Sequence, residues 1–121
     1  MANILTVDDS PSIRQMIKLA LAPAGHTVHE AGDGAQGLEK AKSTKMDLVI
    51  TDLNMPVMSG MDLIKALRAL PTQVGLPIVF LTTESDDGIK QQAKSAGATA
   101  WITKPFKSEQ LIAVVNKLVR S

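Results

Sequence analysis

The sequence predicts an α/β fold in which a parallel five-stranded sheet carries helices on both faces. Short apolar runs alternate five times, over 121 residues, with stretches whose apolar residues recur every three or four positions. Most of the short runs are continuously apolar, which is typical of strands buried on both faces. Turn and cap residues separate the segments, so we expect right-handed crossovers between parallel strands.

Cap and turn residues delimit the helices in the first half of the chain. Ser10 is a good N-cap and Pro11 suits the first helical position, while Gly25 is a plausible residue just past the end. A turn at residues 32–34 precedes a second helix, which we expect to end near Lys45. The strands around these helices are predicted at residues 4–7, 27–31 and 48–50.

The second half repeats the pattern. Ser59 and Asp62 have the spacing of a capping box, with Asp62 in the usual glutamate position, and Pro71 stops the helix that follows. Strands at residues 76–81 and 99–103 precede a fourth helix, over about residues 86–96, and a last helix. Gly97 ends the fourth helix, and Ser108 is predicted to cap the last one.

Composition excludes several classes of function. The chain carries 13 basic and 12 acidic residues, a net charge of +1, so it lacks the electrostatic footprint of a nucleic-acid binder. It has no cysteine for a disulfide framework, and its apolar runs are too short to span a bilayer. We therefore expect one cytoplasmic domain over residues 1–121, with neither nucleic acid nor membrane as a partner.

Polar residues follow four of the predicted strands at the point where each strand ends. Asp8 and Asp9 follow the first strand, Asp52 the third, Thr82 the fourth and Lys104 the fifth. Parallel strands bring their carboxyl ends to one edge of the sheet, which is where open α/β sheets bind ligands. We therefore expect these side chains to form one cluster.

The chemistry of that cluster indicates phosphoryl transfer. Three carboxylates repel one another, and a few hard oxygen ligands with room for water suit Mg²⁺. Carboxylates, Mg²⁺, a lysine and a hydroxyl are the parts that position and neutralise a transferring phosphoryl group, and an aspartate can itself become an acyl phosphate. The chain has no P-loop, so a bound nucleotide is not the expected donor.

Four motifs together resemble the signature set of two-component receiver domains of the CheY type, in order and spacing, over essentially the whole chain. They are Asp8-Asp9-Ser10, the run from Asp52 to Pro56, Thr82, and Lys104-Pro105-Phe106. The resemblance implies a doubly wound, flavodoxin-like fold with strand order 2-1-3-4-5. It also implies a stand-alone receiver without an output domain, monomeric when unphosphorylated.

The resemblance assigns roles at the acidic end of the cluster. Asp52 matches the phosphoacceptor, which takes its phosphate from the phosphohistidine of a histidine kinase. Asp9 matches the principal Mg²⁺ ligand, and Asp8 beside it acts largely through water. Asp52 and the backbone carbonyl of Asn54 would complete the protein ligands.

The remaining assignments concern the switch. Thr82 matches the hydroxyl that moves to the phosphoryl group, and Lys104 matches the lysine that pairs with it. Lys104-Pro105 matches the family's cis peptide, and Trp101 falls at the switch aromatic position. Asn54 and Glu84 match positions that, in chemotaxis regulators, are associated with quick loss of the phosphate.

The resemblance implies a signalling protein that is not an enzyme, although it assists its own phosphorylation and dephosphorylation. The preferred pathway is chemotaxis, with a flagellar motor switch protein as the target. The open alternatives are a phosphorelay shuttle to a histidine phosphotransfer protein, a small Mg²⁺-dependent aspartyl phosphatase, and a flavin-binding module.

Plainer interpretations apply to single residues. Thr82 alone fits a cap before the fourth helix, and Trp101 alone fits a half-buried residue on an edge strand. His26 and His29 are predicted at the surface. Four lysines in the last third indicate either a solvated face or a surface for an acidic partner, namely Lys90, Lys94, Lys107 and Lys117.

Overall fold

The computed structural model describes residues 2–52, 58–70, 75–82 and 87–119. Within these ranges five strands alternate with five α-helices, and a short 3-10 helix at Ala22–Ala24 follows the first of them. In chain order the elements are β1 (Asn3–Val7), α1 (Pro11–Leu21), β2 (Thr27–Ala31), α2 (Gly34–Ser43), β3 (Leu48–Asp52), α3 (Gly60–Ala69), β4 (Ile78–Thr82), α4 (Asp87–Ala96), β5 (Ala100–Thr103) and α5 (Ser108–Val119).

The five strands form one parallel sheet in the order β2-β1-β3-β4-β5, which confirms the predicted fold and strand order. β3 is therefore the central strand, with β1 on one side and β4 on the other. Its last residue, Asp52, pairs with Leu81, and Thr82 pairs with Thr103 of β5. The carboxyl ends of the strands consequently meet at one edge.

Two apolar layers cover the two faces of the sheet. Alternate residues of β3 enter different layers: Leu48 and Ile50 pack with the residues of α1 and α5, whereas Val49 packs with those of α2, α3 and α4. All five residues of β3 are buried, as predicted for a strand covered on both sides. These layers fix the strand ends that carry the polar cluster.

Two of the three predicted side-chain caps are present. The Ser10 Oγ accepts from the Ile13 N–H at 3.4 Å, and the Ser59 Oγ accepts from the Asp62 N–H at 3.1 Å. The prediction for Ser108 is wrong, because Ser108 is already the first residue of α5.

Lys107 instead takes the cap position of α5. The Lys107 carbonyl accepts from the Leu111 N–H at 3.2 Å, and the Gln110 Oε1 accepts from the Lys107 N–H at 3.0 Å. The Gln110 side chain thus reaches back to the amide of the cap residue, which is the second of the two bonds of a capping box.

Several boundaries differ from the predicted ones. α1 ends at Leu21 rather than near Gly25, because Pro23 has no amide hydrogen with which to continue the helix. Gly25 then adopts φ +96°, a conformation that glycine tolerates. β4 begins at Ile78 rather than at residue 76, since Pro77 just before it cannot donate to a ladder. The predicted stop at Pro71 lies outside the described residues.

The prediction that His26 lies at the surface is wrong. His26 is 8% exposed, and its Nε2 lies 3.0 Å from Asn116 Oδ1 of α5, so the residue is enclosed where α5 covers the start of β2. His29 is half-buried, with its Nε2 3.4 Å from Asn3 Oδ1. A one-dimensional pattern on a weak strand does not show that a distant helix covers it.

Candidate functional site

The sheet delivers the four predicted groups to one edge. Asp8 directly follows β1, and its N–H continues the ladder by donating to the Ala31 carbonyl at 3.1 Å. Asp52 and Thr82 are the last residues of β3 and β4. Lys104 follows β5, and its N–H donates to the Thr82 carbonyl at 2.8 Å. The positions of these residues are therefore fixed by backbone hydrogen bonds, independently of the contacts that their side chains make.

Lys104 bridges two of the carboxylates. Its Nζ lies 3.4 Å from Asp8 Oδ2 and 3.4 Å from Asp52 Oδ1. The lysine side chain is 17% exposed, whereas Asp8 is 1% and Asp52 is 8% exposed. An ammonium group this enclosed compensates charge that water would otherwise solvate.

Three carboxylates also lie close enough to share one cation. One oxygen each from Asp8, Asp9 and Asp52 falls within 4.8 Å of the others. Asp9 is exposed, so the cluster opens to solvent on its side. A set of hard oxygen ligands with an open side fits Mg²⁺, which keeps several of its waters when it binds proteins. The predicted fourth ligand, the Asn54 carbonyl, lies outside the described residues.

Burial raises the pKa of the Asp8 carboxyl above its ordinary value, and the charge of Asp52 adds to the rise. The Ser10 N–H, which donates to Asp8 Oδ1 at 2.9 Å, and the Lys104 ammonium oppose that rise without cancelling it. A carboxylate that is costly to keep ionised favours a bound cation, because the cation replaces the lost solvation. The electrostatics thus agree with the geometry of the cluster.

The remaining predicted residues are placed as follows. Thr82 is 3% exposed at the end of β4, beside the Lys104 backbone. The Lys104–Pro105 peptide bond is cis, as the resemblance implied. Asn54 and Glu84, at the two positions associated with quick loss of the phosphate, lie outside the described residues.

Trp101 is the second residue of β5 and is 38% exposed. Its ring centroid is 6.3 Å from that of Phe80, the residue with which it pairs in the sheet. On the solvent side the Nζ of Lys90 lies 5.0 Å and that of Lys94 lies 5.8 Å from the Trp101 ring centroid. Two of the four predicted lysines therefore contact the tryptophan rather than forming a detached charged face.

Arg14 and Glu30 also contact the site, although no feature of the sequence had been interpreted as assigning them to it. The Arg14 Nη1 donates to the Asp8 carbonyl at 2.6 Å, and its Nε donates to Glu30 Oε1 at 3.1 Å. A signal was available, because an arginine in the first turns of a helix opposes the positive end of the helix dipole. Such a position calls for a nearby acid or acceptor, and here both are present.

The sequence model for the response regulator receiver domain matches residues 4–116 of this chain. The chain belongs to the receiver domain family. Receiver domains are phosphoacceptor signalling modules, so the protein is a receiver in phosphorelay signalling. Its CheY-like fold, with strand order 2-1-3-4-5, is that of the family.

Known relatives differ in the output that their names describe. The chemotaxis protein CheY4 of Vibrio cholerae is 44% identical, with a TM-score of 0.93 and 98% of both chains covered. The DNA-binding response regulator MtrA of Mycolicibacterium smegmatis is 38% identical over 117 residues, which are 97% of this chain and 50% of MtrA. The chain thus spans about half the length of the curated relatives it matches.

A third relative bears on the metal. The receiver domain of the sensor histidine kinase PA1611 of Pseudomonas aeruginosa is 28% identical, has a TM-score of 0.91 and covers 99% of this chain and 98% of its own. Its structure has a magnesium ion coordinated in the active-site cleft. Separately, in the ranges that the structure describes here, no helix is long and apolar enough to cross a membrane.

Proposed function

We propose that this receiver is a Mg²⁺-dependent switch that accepts a phosphoryl group on Asp52 from the phosphohistidine of a histidine kinase. The observation that carries the proposal is the contact of Asp52 Oδ1 with the Lys104 ammonium at 3.4 Å, beside the two acids that follow β1. This juxtaposition provides a nucleophile, a fixed positive charge and candidate metal ligands within one cluster.

The phosphoryl transfer forms one bond to phosphorus and breaks another. A carboxylate oxygen of Asp52 forms the new O–P bond while the N–P bond of phosphohistidine breaks, and the leaving imidazole keeps the electron pair and takes up a proton. Bound Mg²⁺, held by Asp8, Asp9, Asp52 and the Asn54 carbonyl, would neutralise charge on the phosphoryl oxygens. The Lys104 ammonium then turns from the carboxylates to a phosphoryl oxygen, and the Thr82 hydroxyl donates to another.

The acceptor assignment is tested with a small-molecule phosphodonor and intact-mass spectrometry. The wild-type chain with Mg²⁺ should gain one phosphate, and Asp52→Asn should gain none. The matched control is Asp47→Asn, the same change at an exposed position just before the other end of β3. Equal labelling of wild type and Asp52→Asn would overturn the assignment, as would loss of labelling in the control alone.

The switch would run from Thr82 to Trp101 and the surface of α4, β5 and α5. Thr82 and Phe80 belong to the same strand, and Phe80 packs against Trp101 across the β4–β5 ladder. When the phosphoryl group draws Thr82 towards Asp52, we expect Trp101 to change its packing against Phe80 and to leave its contacts with Lys90 and Lys94. Such a two-state element is biased by one local charge.

Trp101 fluorescence tests the coupling, because it is the chain's only tryptophan. Full phosphorylation should change its emission and its quenching by acrylamide, and Thr82→Ala should remove most of that change while still accepting phosphate. Emission that stays constant through complete phosphorylation would make Trp101 a static strand residue.

For the output we propose control of a flagellar motor switch protein by non-covalent binding, within a chemotaxis pathway. The 44% identity to CheY4 over 98% of both chains supports it. Transcriptional control is the second candidate, supported by the 38% identity to MtrA.

Phosphoryl lifetime and partner binding separate the two candidate outputs. Binding of the phosphorylated chain to a motor switch protein, together with a phosphoryl lifetime of seconds to minutes, supports control of the flagellar motor. A phosphoryl lifetime of hours favours regulation of transcription or a phosphorelay shuttle. That the receiver stands alone, without an output domain, stays a prediction.

Two further alternatives have direct tests. A small aspartyl phosphatase would turn over a phosphomonoester many times, whereas a receiver should show no such turnover. A flavin-binding module would be yellow when purified, although three acids at the crevice oppose an anionic flavin phosphate.

A further inference from the structure

Arg14 contacts the acidic pair through the backbone rather than through a side chain. Its Nη1 donates to the carbonyl of Asp8 at 2.6 Å, and the side chain is only 19% exposed. That carbonyl belongs to the peptide unit between Asp8 and Asp9, just beyond the last residue of β1. Arg14 therefore holds the one peptide unit that joins the two acids of the cluster.

This contact continues the anchoring of the chain beyond the sheet. The N–H of Asp8 is still held by the Ala31 carbonyl at 3.1 Å, as an extension of the β1–β2 ladder. The peptide that follows has left the ladder, and Arg14 supplies the next bond. Because a peptide unit is planar, fixing its oxygen restricts ψ of Asp8 and φ of Asp9 together. One guanidinium consequently restricts the backbone from which both carboxylates project.

Glu30 holds Arg14 in place and neutralises it. The Arg14 Nε donates to Glu30 Oε1 at 3.1 Å, while Lys18 Nζ lies 3.9 Å from Glu30 Oε2. Lys40 of α2 donates to the backbone carbonyl of Glu30, which ties this part of β2 to the next helix. An unpaired guanidinium beside the acids would repel a divalent cation, whereas a paired one orients the acids with little net charge.

We propose that Arg14, held and neutralised by Glu30, is a positioning residue that sets the orientation of Asp8 and Asp9 for binding a divalent cation. The inference rests on the proposed function, since it assigns a further part of the same metal site. The positioning role predicts the direction in which Mg²⁺ affinity changes when Arg14 is replaced. A guanidinium acting only as a nearby positive charge would weaken Mg²⁺ binding, and its removal would strengthen it. A guanidinium acting by position does the opposite.

The test is Mg²⁺ affinity measured by titration calorimetry on the unphosphorylated full chain. Arg14→Met, which removes the donor and keeps much of the apolar stem, should weaken Mg²⁺ binding about ten-fold, the range typical of groups that orient metal ligands. Arg14→Lys, which reaches the carbonyl but cannot also bridge to Glu30, should lose less. In phosphorylation assays the half-saturating Mg²⁺ concentration should rise about ten-fold in Arg14→Met, with the maximal rate retained at saturating Mg²⁺.

Glu30 and Lys18 provide the controls. Glu30→Gln keeps the side-chain length and removes the charge, so it should weaken Mg²⁺ binding most at low ionic strength. Adding Glu30→Gln to Arg14→Met should have no further effect, because Glu30 acts through Arg14. Lys18→Met removes the other partner of Glu30 and leaves the Asp8 carbonyl bond intact, so its Mg²⁺ affinity should equal that of wild type.

The outcomes separate this inference from the proposed function. Wild-type chain that binds no Mg²⁺ would contradict both. Wild type that binds Mg²⁺, with unchanged or tighter binding in Arg14→Met, would overturn the positioning role alone. If Arg14→Met does not fold, as judged by circular dichroism in EDTA, then Arg14→Lys and Glu30→Gln decide, and wild-type affinity in both would overturn it.

Discussion

At the scale of single residues, the site consists of groups whose burial is unfavourable without a partner. Asp8 is almost fully enclosed, and burial raises the pKa of its carboxyl. Lys104 relieves part of that penalty from 3.4 Å, and the Ser10 N–H relieves another part. Polar groups that lower stability in this way are retained where they serve binding, so we expect the stability of the unliganded protein to improve when Asp8 is neutralised.

Asp8→Asn should therefore stabilise the metal-free protein against urea near neutral pH. The raised pKa means that the folded state binds a proton at Asp8 more readily than the unfolded state. The destabilisation from the ionised carboxylate is complete above the folded pKa and is lost as the pH falls to the ordinary value of 3.8. The gain from Asp8→Asn should shrink over that acid window. Added Mg²⁺ should stabilise wild type but not the variant, and a variant less stable in EDTA at neutral pH would refute this account of Asp8.

Two buried threonines give a matched pair. The Thr6 hydroxyl has no hydrogen-bond partner among the described residues, whereas the Thr51 hydroxyl donates to the Asp52 carbonyl at 2.9 Å. Thr6→Val should raise the free energy of unfolding by about 1 kcal/mol, and Thr51→Val should lower it by a similar amount. Urea unfolding of both variants checks the difference, and the reverse order would be inconsistent with these contacts.

At the scale of elements, the close approach of α2 to β1 helps to fix the strand that leads into the acids. A Cβ added to Gly37 would lie 2.7 Å from Val7 Cγ2, and Val7 is fully buried. The helix can lie this near the strand only because residue 37 has no side chain. The end of β1, which precedes Asp8, is therefore held by α2 on one face of the sheet and by β2 along its edge.

Gly37→Ala should lower the stability despite the better helix propensity of alanine. The propensity gain is about 1 kcal/mol, whereas overpacking against a buried branched side chain costs about 1–3 kcal/mol. We expect a net loss of roughly 1 kcal/mol in urea unfolding, with weaker Mg²⁺ binding because Val7 precedes Asp8. Gly75→Ala is the control and should change neither quantity, since among the described residues other than its chain neighbours no atom lies within 4 Å of the added Cβ. Equal stability of the two variants would contradict the close packing.

At the scale of the whole molecule, the topology determines where chemistry can occur. A parallel sheet with β3 at its centre brings the ends of β1, β3, β4 and β5 to one edge. The sequence predicted this edge because polar residues follow strands whose interiors are apolar. That pattern is local, and it requires no knowledge of distant contacts.

Contacts between residues far apart in sequence were the part that could not be predicted. Arg14 and Glu30 lie on different elements, and only the folded structure shows that they meet beneath the Asp8 carbonyl. His26 was misplaced for the same reason, since its burial depends on α5 at the other end of the chain. The start of α5 was predicted one residue late, because Lys107 takes the cap position and the Gln110 side chain accepts from its N–H.

The central claim is that Asp52 carries the phosphoryl group, and chemical trapping tests it most directly. The chain is phosphorylated with a small phosphodonor and Mg²⁺, treated with borohydride, which reduces an aspartyl phosphate to homoserine, and mapped by peptide mass spectrometry. We predict homoserine at position 52 alone, with none formed when EDTA replaces Mg²⁺. Conversion at another aspartate, or a phosphorylated chain with position 52 unchanged, would contradict the account.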